Sequence, residues 1–165
     1  MGKKSSGSAS TPATIALTRA GISFTVRNYQ HDPAVTDFGA EAATALGVPP
    51  ERVFKTLLAE VDGALVVGVV PVSGKLDLKA LAAALGAKRA VMADPVAAER
   101  KTGYVVGGIS PIGQRTRLRT VIDESARDHD TVLVSGGRRG FDLELSPGDL
   151  ARATEGVWAD IGRED

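Results

Sequence analysis

Val53-Phe54-Lys55-Thr56-Leu57-Leu58 decides how the chain is organised: one lysine interrupts an apolar run, which then meets Asp62-Gly63 and a second apolar run over residues 64–70. Both runs favour strands, and Asp-Gly between two such runs is a strong hairpin signal. Residues 64–70 are apolar at successive positions, which marks a central strand covered on both faces. Side chains alternate along a strand, so Lys55 shares its face with Val53 and Leu57. An ammonium there is costly unless a carboxylate, a ligand or an escape to solvent relieves it. A lysine guarding an edge strand against aggregation is the competing reading.

Working outward toward the N-terminus, Thr36 or Asp37 caps a helix whose Phe38, Ala42, Ala45 and Leu46 form one stripe ending at Gly47. Residues 30–37 are a polar loop containing Pro33, and residues 22–29 alternate as a strand. Thr11-Pro12 opens a first helix that stops at Gly21. Toward the C-terminus, Asp77 caps a helix carrying Leu78, Leu81, Ala82 and Leu85. A short strand over residues 90–92 follows, and Asp94-Pro95 starts a helix reaching about Lys101. Gly107-Gly108-Ile109-Ser110-Pro111-Ile112-Gly113 is a loop with bare backbone amides. Strands are expected over residues 120–123, 131–134 and 141–145, with Ser135-Gly136-Gly137-Arg138-Arg139-Gly140 as a glycine-rich turn. Ser146-Pro147 caps a last helix, and residues 157–161 add a strand. The sum is an α+β fold: a mixed, largely antiparallel, barrel-like sheet surrounded by helices.

The chain has 165 residues, 43% of them hydrophobic, enough for one domain with a real core, here taken as residues 11–165. Residues 1–10 are Ser/Gly-rich and read as a disordered leader. Lysine plus arginine and aspartate plus glutamate both total 20, so any polyanion must be met by a local patch. With no cysteine and two histidines, disulfides, thiolate zinc sites and a cysteine nucleophile are excluded, and neither a metal nor a cofactor is expected. The longest apolar run, residues 64–72, falls well short of the ~20 residues of a membrane-spanning helix, so a cytoplasmic protein is expected.

Lys55, the Gly107-Gly108-Ile109-Ser110-Pro111 loop, Ser135 and Asp142 are the candidates for chemistry. Bare loop amides can bind a carbonyl oxygen or the oxyanion formed when it is attacked, and losing one such donor costs ~3 kcal/mol in the barrier. An ordinary tight connection is the plainer reading of the same glycines. Asp142 lies between Phe141 and Leu143, either facing outward or serving as the buried partner of Lys55. Ser135 needs a base to act as a nucleophile, and neither His31 nor His129 is placed for it; His31 is at most a loop or substrate contact. Arg115, Arg117, Arg138 and Arg139 flank the two glycine segments and could hold a phosphate backbone.

Taken together, Tyr29-x-His31-Asp32-Pro33, Val53-Phe54-Lys55-Thr56-Leu57, Leu76-Asp77-Leu78, Met92-Ala93-Asp94-Pro95, Thr102-Gly103-Tyr104-x-x-Gly107-Gly108-Ile109-Ser110-Pro111 and Val134-Ser135-Gly136-Gly137-x-Arg139-Gly140-x-Asp142 resemble the YbaK family of aminoacyl-tRNA deacylases. That family is related to the editing domain of bacterial prolyl-tRNA synthetases. The resemblance implies trans-editing: hydrolysis of Cys-tRNA(Pro), or of Cys-tRNA(Cys), with the substrate's own thiol attacking the ester. It would be classed as a lyase if the amino acid leaves by cyclisation. The need is physical, because side chains of similar size differ by only ~1–3 kcal/mol in a pocket.

By the same resemblance, Lys55 holds the ribose, phosphate or ester of the tRNA end, and the amides of Gly107 and Gly108 polarise the carbonyl. Tyr29, His31, Phe38, Thr56, Ile109, Ser110, Ser135 and Asp142 line the substrate pocket, and Arg115, Arg117, Arg138 and Arg139 meet the tRNA. The implied partners are the acceptor end of tRNA(Pro) and, transiently, prolyl-tRNA synthetase. The sister group acting on Ala-tRNA(Pro) carries Lys-Asn where this chain has Lys55-Thr56, which points to the cysteine branch. Ala-tRNA(Pro), a broader set of small aminoacyl esters, and a non-catalytic tRNA- or synthetase-binding module are the alternatives.

Overall fold

The lysine run forms β2 (Phe54–Val61), which turns back through Asp62 and Gly63 into β3 (Ala64–Pro71). Asp62 has φ 51° and Gly63 φ 86°, the positive pair of a type I′ turn, whose twist matches that of the paired strands. A computed structural model describes residues 10–164, so all of the expected leader except Ser10 lies outside the described residues. The hairpin sits inside a five-stranded sheet ordered β5 (Ala90–Met92), β2, β3, β6 (Arg119–Asp123), β9 (Val157–Ala159). β2 pairs antiparallel with β3 and β5, while β3–β6 and β6–β9 are parallel.

A second sheet, ordered β1 (Thr25–Asn28), β8 (Phe141–Leu145), β7 (Val132–Arg138), is antiparallel throughout. A parallel bridge from Val53 to Leu133 stitches it to the first. β4 (Gly74–Leu76) and β10 (Gly162–Glu164) form a separate antiparallel pair. The expected mixed, largely antiparallel α+β architecture is therefore present, divided into three sheets.

β3 is central, as its two apolar faces demand. Val67 and Val69 enter a core shared with Phe54, Leu58, Phe141 and Leu143. Val66 and Val70 enter a second core with Leu81 and Ile161 on the opposite face. The helices α1 (Pro12–Arg19), α2 (Phe38–Leu46), α3 (Leu78–Ala84), α4 (Pro95–Thr102) and α5 (Pro147–Thr154) all begin on a capping side chain. Thr11, Asp37, Asp77, Asp94 and Ser146 each accept from a first-turn amide, a contact worth ~1 kcal/mol.

Three expected elements differ. β1 starts at Thr25 instead of residue 22, because β8 offers register partners only to Thr25–Asn28. The glycine segment after Ser135 is not an open turn: β7 continues to Arg138 with a bulge between Ser135 and Arg138, and Arg139-Gly140 alone reverses the chain. A Cβ on Gly136 would lie 2.6 Å from the Phe141 ring, so glycine lets the bulge press on the core. The last strand is broken, because the Asp123 carboxylate accepts from the amides of Ile161 (2.9 Å) and Gly162 (2.7 Å). Among the described residues no helix is long and apolar enough to cross a membrane.

Candidate active site

β5 pairs with β2 only at Ala59–Val61, which leaves the stretch of β2 before Ala59 without a strand on the edge opposite β3, among the described residues. A cavity of about 300 Å³ opens beside it. Lys55 and Thr56 line it from β2, Tyr29 from the position just after β1, and Phe38 from the start of α2. Gly107 and Ile109 line it from the glycine loop, and Ser135 and Asp142 from a register pair of β7 and β8. Eight residues expected from the sequence are thus brought together from separate parts of the chain.

Lys55 is half-buried and has neither an ion pair nor a hydrogen bond among the described residues. Asp142 is 5% exposed, and it too lacks a side-chain hydrogen bond or ion pair among the described residues. Of the two places the sequence left open for Asp142, facing outward or pairing with Lys55, neither is taken: both residues line one cavity, unjoined. Burial pushes the Asp142 carboxyl up to about 7, against a smaller downward pull from the Arg27 guanidinium. Burial, then the Asp142 charge, pushes the Tyr29 phenol up to about 12, so it stays neutral. Thr56 Oγ1 is buried and has no hydrogen-bond partner among the described residues, an arrangement native structures keep rare.

The glycine loop is closed on itself. Tyr104 donates its hydroxyl to the Ile112 carbonyl (2.6 Å), and Ser110 Oγ accepts from the Ile112 amide (3.2 Å). Ser110 is fully buried and does not line the cavity, a correction to its expected place in the pocket. The Gly108 amide donates to the Val105 carbonyl (2.9 Å), so it is not the free donor expected. A Cβ on Gly108 would sit 2.6 Å from the Arg138 backbone, which gives this glycine a packing role. Gly107, at φ +89°, donates its amide to no backbone carbonyl among the described residues and does line the cavity.

His31 also stands outside the cavity wall. Its Nδ1 meets Glu41 Oε1 at 2.7 Å, and its ring lies 5.7 Å from that of Phe38, so it braces the loop that leads into α2. Neither histidine lines the cavity, which leaves Ser135 without an imidazole base; its Oγ accepts from the Gly137 amide. The four expected arginines separate. Arg138 stacks on Phe141 (4.2 Å), Arg115 donates to the Arg100 carbonyl (3.3 Å), and Arg117 makes an exposed contact with Glu155 (3.4 Å). Arg139 alone reaches the cavity's rim, over Phe38 at 4.7 Å and hydrogen-bonded to Val106.

Sequence reasoning missed Met92, Pro95 and Val106 as wall residues, and Glu99, which accepts from the Val106 amide (2.8 Å). Met92 and Val106 are large apolar side chains left exposed, a signal that burial shows and sequence does not.

A family profile described as the aminoacyl-tRNA editing domain matches residues 32–153. An Enterococcus faecalis protein provisionally named Cys-tRNA(Pro)/Cys-tRNA(Cys) deacylase EbsC is 39% identical over 120 residues, covering 72% of this chain and 73% of that protein. A proline–tRNA ligase of Geobacter metallireducens is 31% identical over 73% of this chain but only 21% of its own length. The solved structure of a provisionally assigned trans-editing enzyme for prolyl-tRNA synthetase superposes with TM-score 0.83 at 26% identity, over 96% of this chain and 99% of that one.

Proposed function

The chain belongs to the aminoacyl-tRNA editing family, of YbaK type, and from that premise we propose that it is a trans-editing deacylase removing cysteine from mischarged tRNA(Pro). The observation that carries the reading is a lysine ammonium and a buried carboxyl group on one cavity wall, neither with a partner among the described residues. A cysteinyl ester on a tRNA end brings both complements: an α-ammonium for Asp142 and a phosphate or ribose oxygen for Lys55. Thr56 Oγ1 and the Gly107 amide supply further hydrogen-bonding groups.

The lack of a cysteine in the chain and of a histidine lining the cavity beside Ser135 fits the family resemblance, which implies a nucleophile supplied by the substrate. Its thiol attacks the ester carbonyl; the sulfur–carbon bond forms and the carbon–oxygen bond to ribose breaks. The thiol proton passes to the ribose oxygen, and cysteine leaves as a thiolactone that water opens. The Gly107 amide stabilises the oxyanion, the kind of contact worth ~3 kcal/mol in the barrier. Prolyl-tRNA synthetase, as a transient partner, would supply the choice of tRNA.

Purified protein incubated with Cys-, Ser-, Ala- and Pro-charged tRNA(Pro) tests this. Rapid loss of the cysteinyl ester with the seryl ester intact is expected, since serine matches the size but lacks the thiol. Equal loss of Cys and Ser esters sinks the thiol mechanism. Loss of Ala alone assigns the sister specificity, and protection of every ester marks a binding module.

A further inference from the structure

Resting on the deacylase reading above, we infer that Arg139 and Glu99 are positioning residues that clamp Val106 from both sides and thereby aim the Gly107 amide at the ester carbonyl. Arg139 donates from Nε (3.0 Å) and Nη2 (2.6 Å) to the Val106 carbonyl. Glu99 Oε2 accepts from the Val106 amide at 2.8 Å. Both peptide planes flanking Val106 are therefore held. In a trans peptide the carbonyl and the following N–H point in opposite directions. With the Val106 oxygen turned to Arg139, the Gly107 N–H is turned away from it. Gly107 lines the cavity, Arg139 stands at its rim over Phe38, and no backbone carbonyl among the described residues takes the Gly107 N–H, which leaves it for a bound ester.

The clamp also acts electronically. A cation on the carbonyl oxygen draws density from the amide and strengthens its N–H as a donor. The guanidinium is fixed in turn by the Phe38 ring, 4.7 Å from its carbon. Arg139 is exposed on its outer side, but Gly107 packs against it: a Cβ there would lie 2.6 Å from Arg139 Nε and 3.0 Å from Phe38. This differs from the role expected of Arg139 as a phosphate ligand, because the geometry uses its fork on protein atoms.

The two roles separate in single-turnover deacylation of Cys-tRNA(Pro) combined with direct tRNA binding. The clamp predicts that Arg139→Ala and Glu99→Ala each lower the rate constant roughly 10- to 100-fold with tRNA affinity within about twofold. Arg139→Lys keeps the charge but loses the fork, so it does not restore the rate; Glu99→Gln keeps an acceptor and does. If Arg139→Ala instead weakens tRNA binding and Arg139→Lys restores it, the residue is a phosphate ligand and the clamp is wrong. Amide NMR of residues 105–108 keeps the two readings apart when the wild-type protein deacylates nothing. A Gly107 amide shift perturbed in both alanine variants upholds the clamp although the deacylase reading fails, and an unmoved Gly107 resonance overturns it.

Discussion

Asp142 and Glu144 sit two residues apart on β8, share a face of the strand and carry the same functional group, yet their surroundings are opposite. Glu144 takes Arg27 (2.6 Å), Arg52 (2.7 Å) and the Thr131 hydroxyl, and the Thr131 bond, followed by the Arg27 bond and the two guanidinium charges, holds its carboxyl below the ordinary range despite partial burial. Asp142 has none of these, and burial raises it to about 7. The ladder makes the contrast sharper: Arg27 is the register partner of Asp142, yet its guanidinium reaches diagonally to Glu144. One carboxylate ties two β-strands to the turn before β2; the other lines the cavity without such a partner among the described residues.

The largest effect expected on the open end of the strand comes from across the cavity. Lys55→Ala should lower Cys-tRNA deacylation by roughly a thousandfold, with unfolding in urea changed by less than about 0.5 kcal/mol. A variant of normal activity would remove Lys55 from the mechanism.

Asp142→Asn should stabilise the fold. In the folded chain Asp142 keeps its proton to about pH 7, whereas the unfolded chain releases it near its ordinary value. Its support for folding is thus complete in acid, declines as pH rises through that window and is absent above it. The asparagine variant should match the parent near pH 4 and exceed it at pH 8 by roughly 2–4 kcal/mol, read from urea midpoints. A parallel pH course for the two proteins would show that Asp142 is not held neutral by burial.

Glu144→Gln has the opposite sign. Its lowered carboxyl stabilises the fold above the ordinary glutamate range and loses that effect as pH falls through the folded value. The variant should cost roughly 1–2 kcal/mol at pH 7 and little in acid. It should also release Arg27 toward Asp142 and lower the Asp142 titration by about one unit, visible by carboxyl NMR. An unmoved Asp142 titration would mean that Arg27 has no competing reach.

Local chemistry made much of this legible. The Asp62-Gly63 turn, the central place of residues 64–70, and the caps at Thr11, Asp37, Asp77, Asp94 and Ser146 all follow from side chains acting on nearby backbone. The cavity wall at Lys55, Thr56, Gly107 and Asp142 came from unusual residues and from the family likeness. What stayed hidden depends on distant partners. That the Gly108 amide is spent on Val105, that His31 turns to Glu41, and that Arg139 serves Val106 are choices among competing acceptors, and only the folded geometry settles those.

The parallel pairing of β3 with β6 has a temporal consequence. The β2–β3 hairpin can close as soon as its own residues exist, but the neighbour that locks it arrives roughly fifty residues later, and Asp142 later still. A nascent chain halted after β6 would have made Lys55, Phe38 and Gly107 but not yet Ser135 and Asp142, the far side of the cavity wall. Proofreading competence is therefore acquired late in synthesis, when β8 docks beside β1.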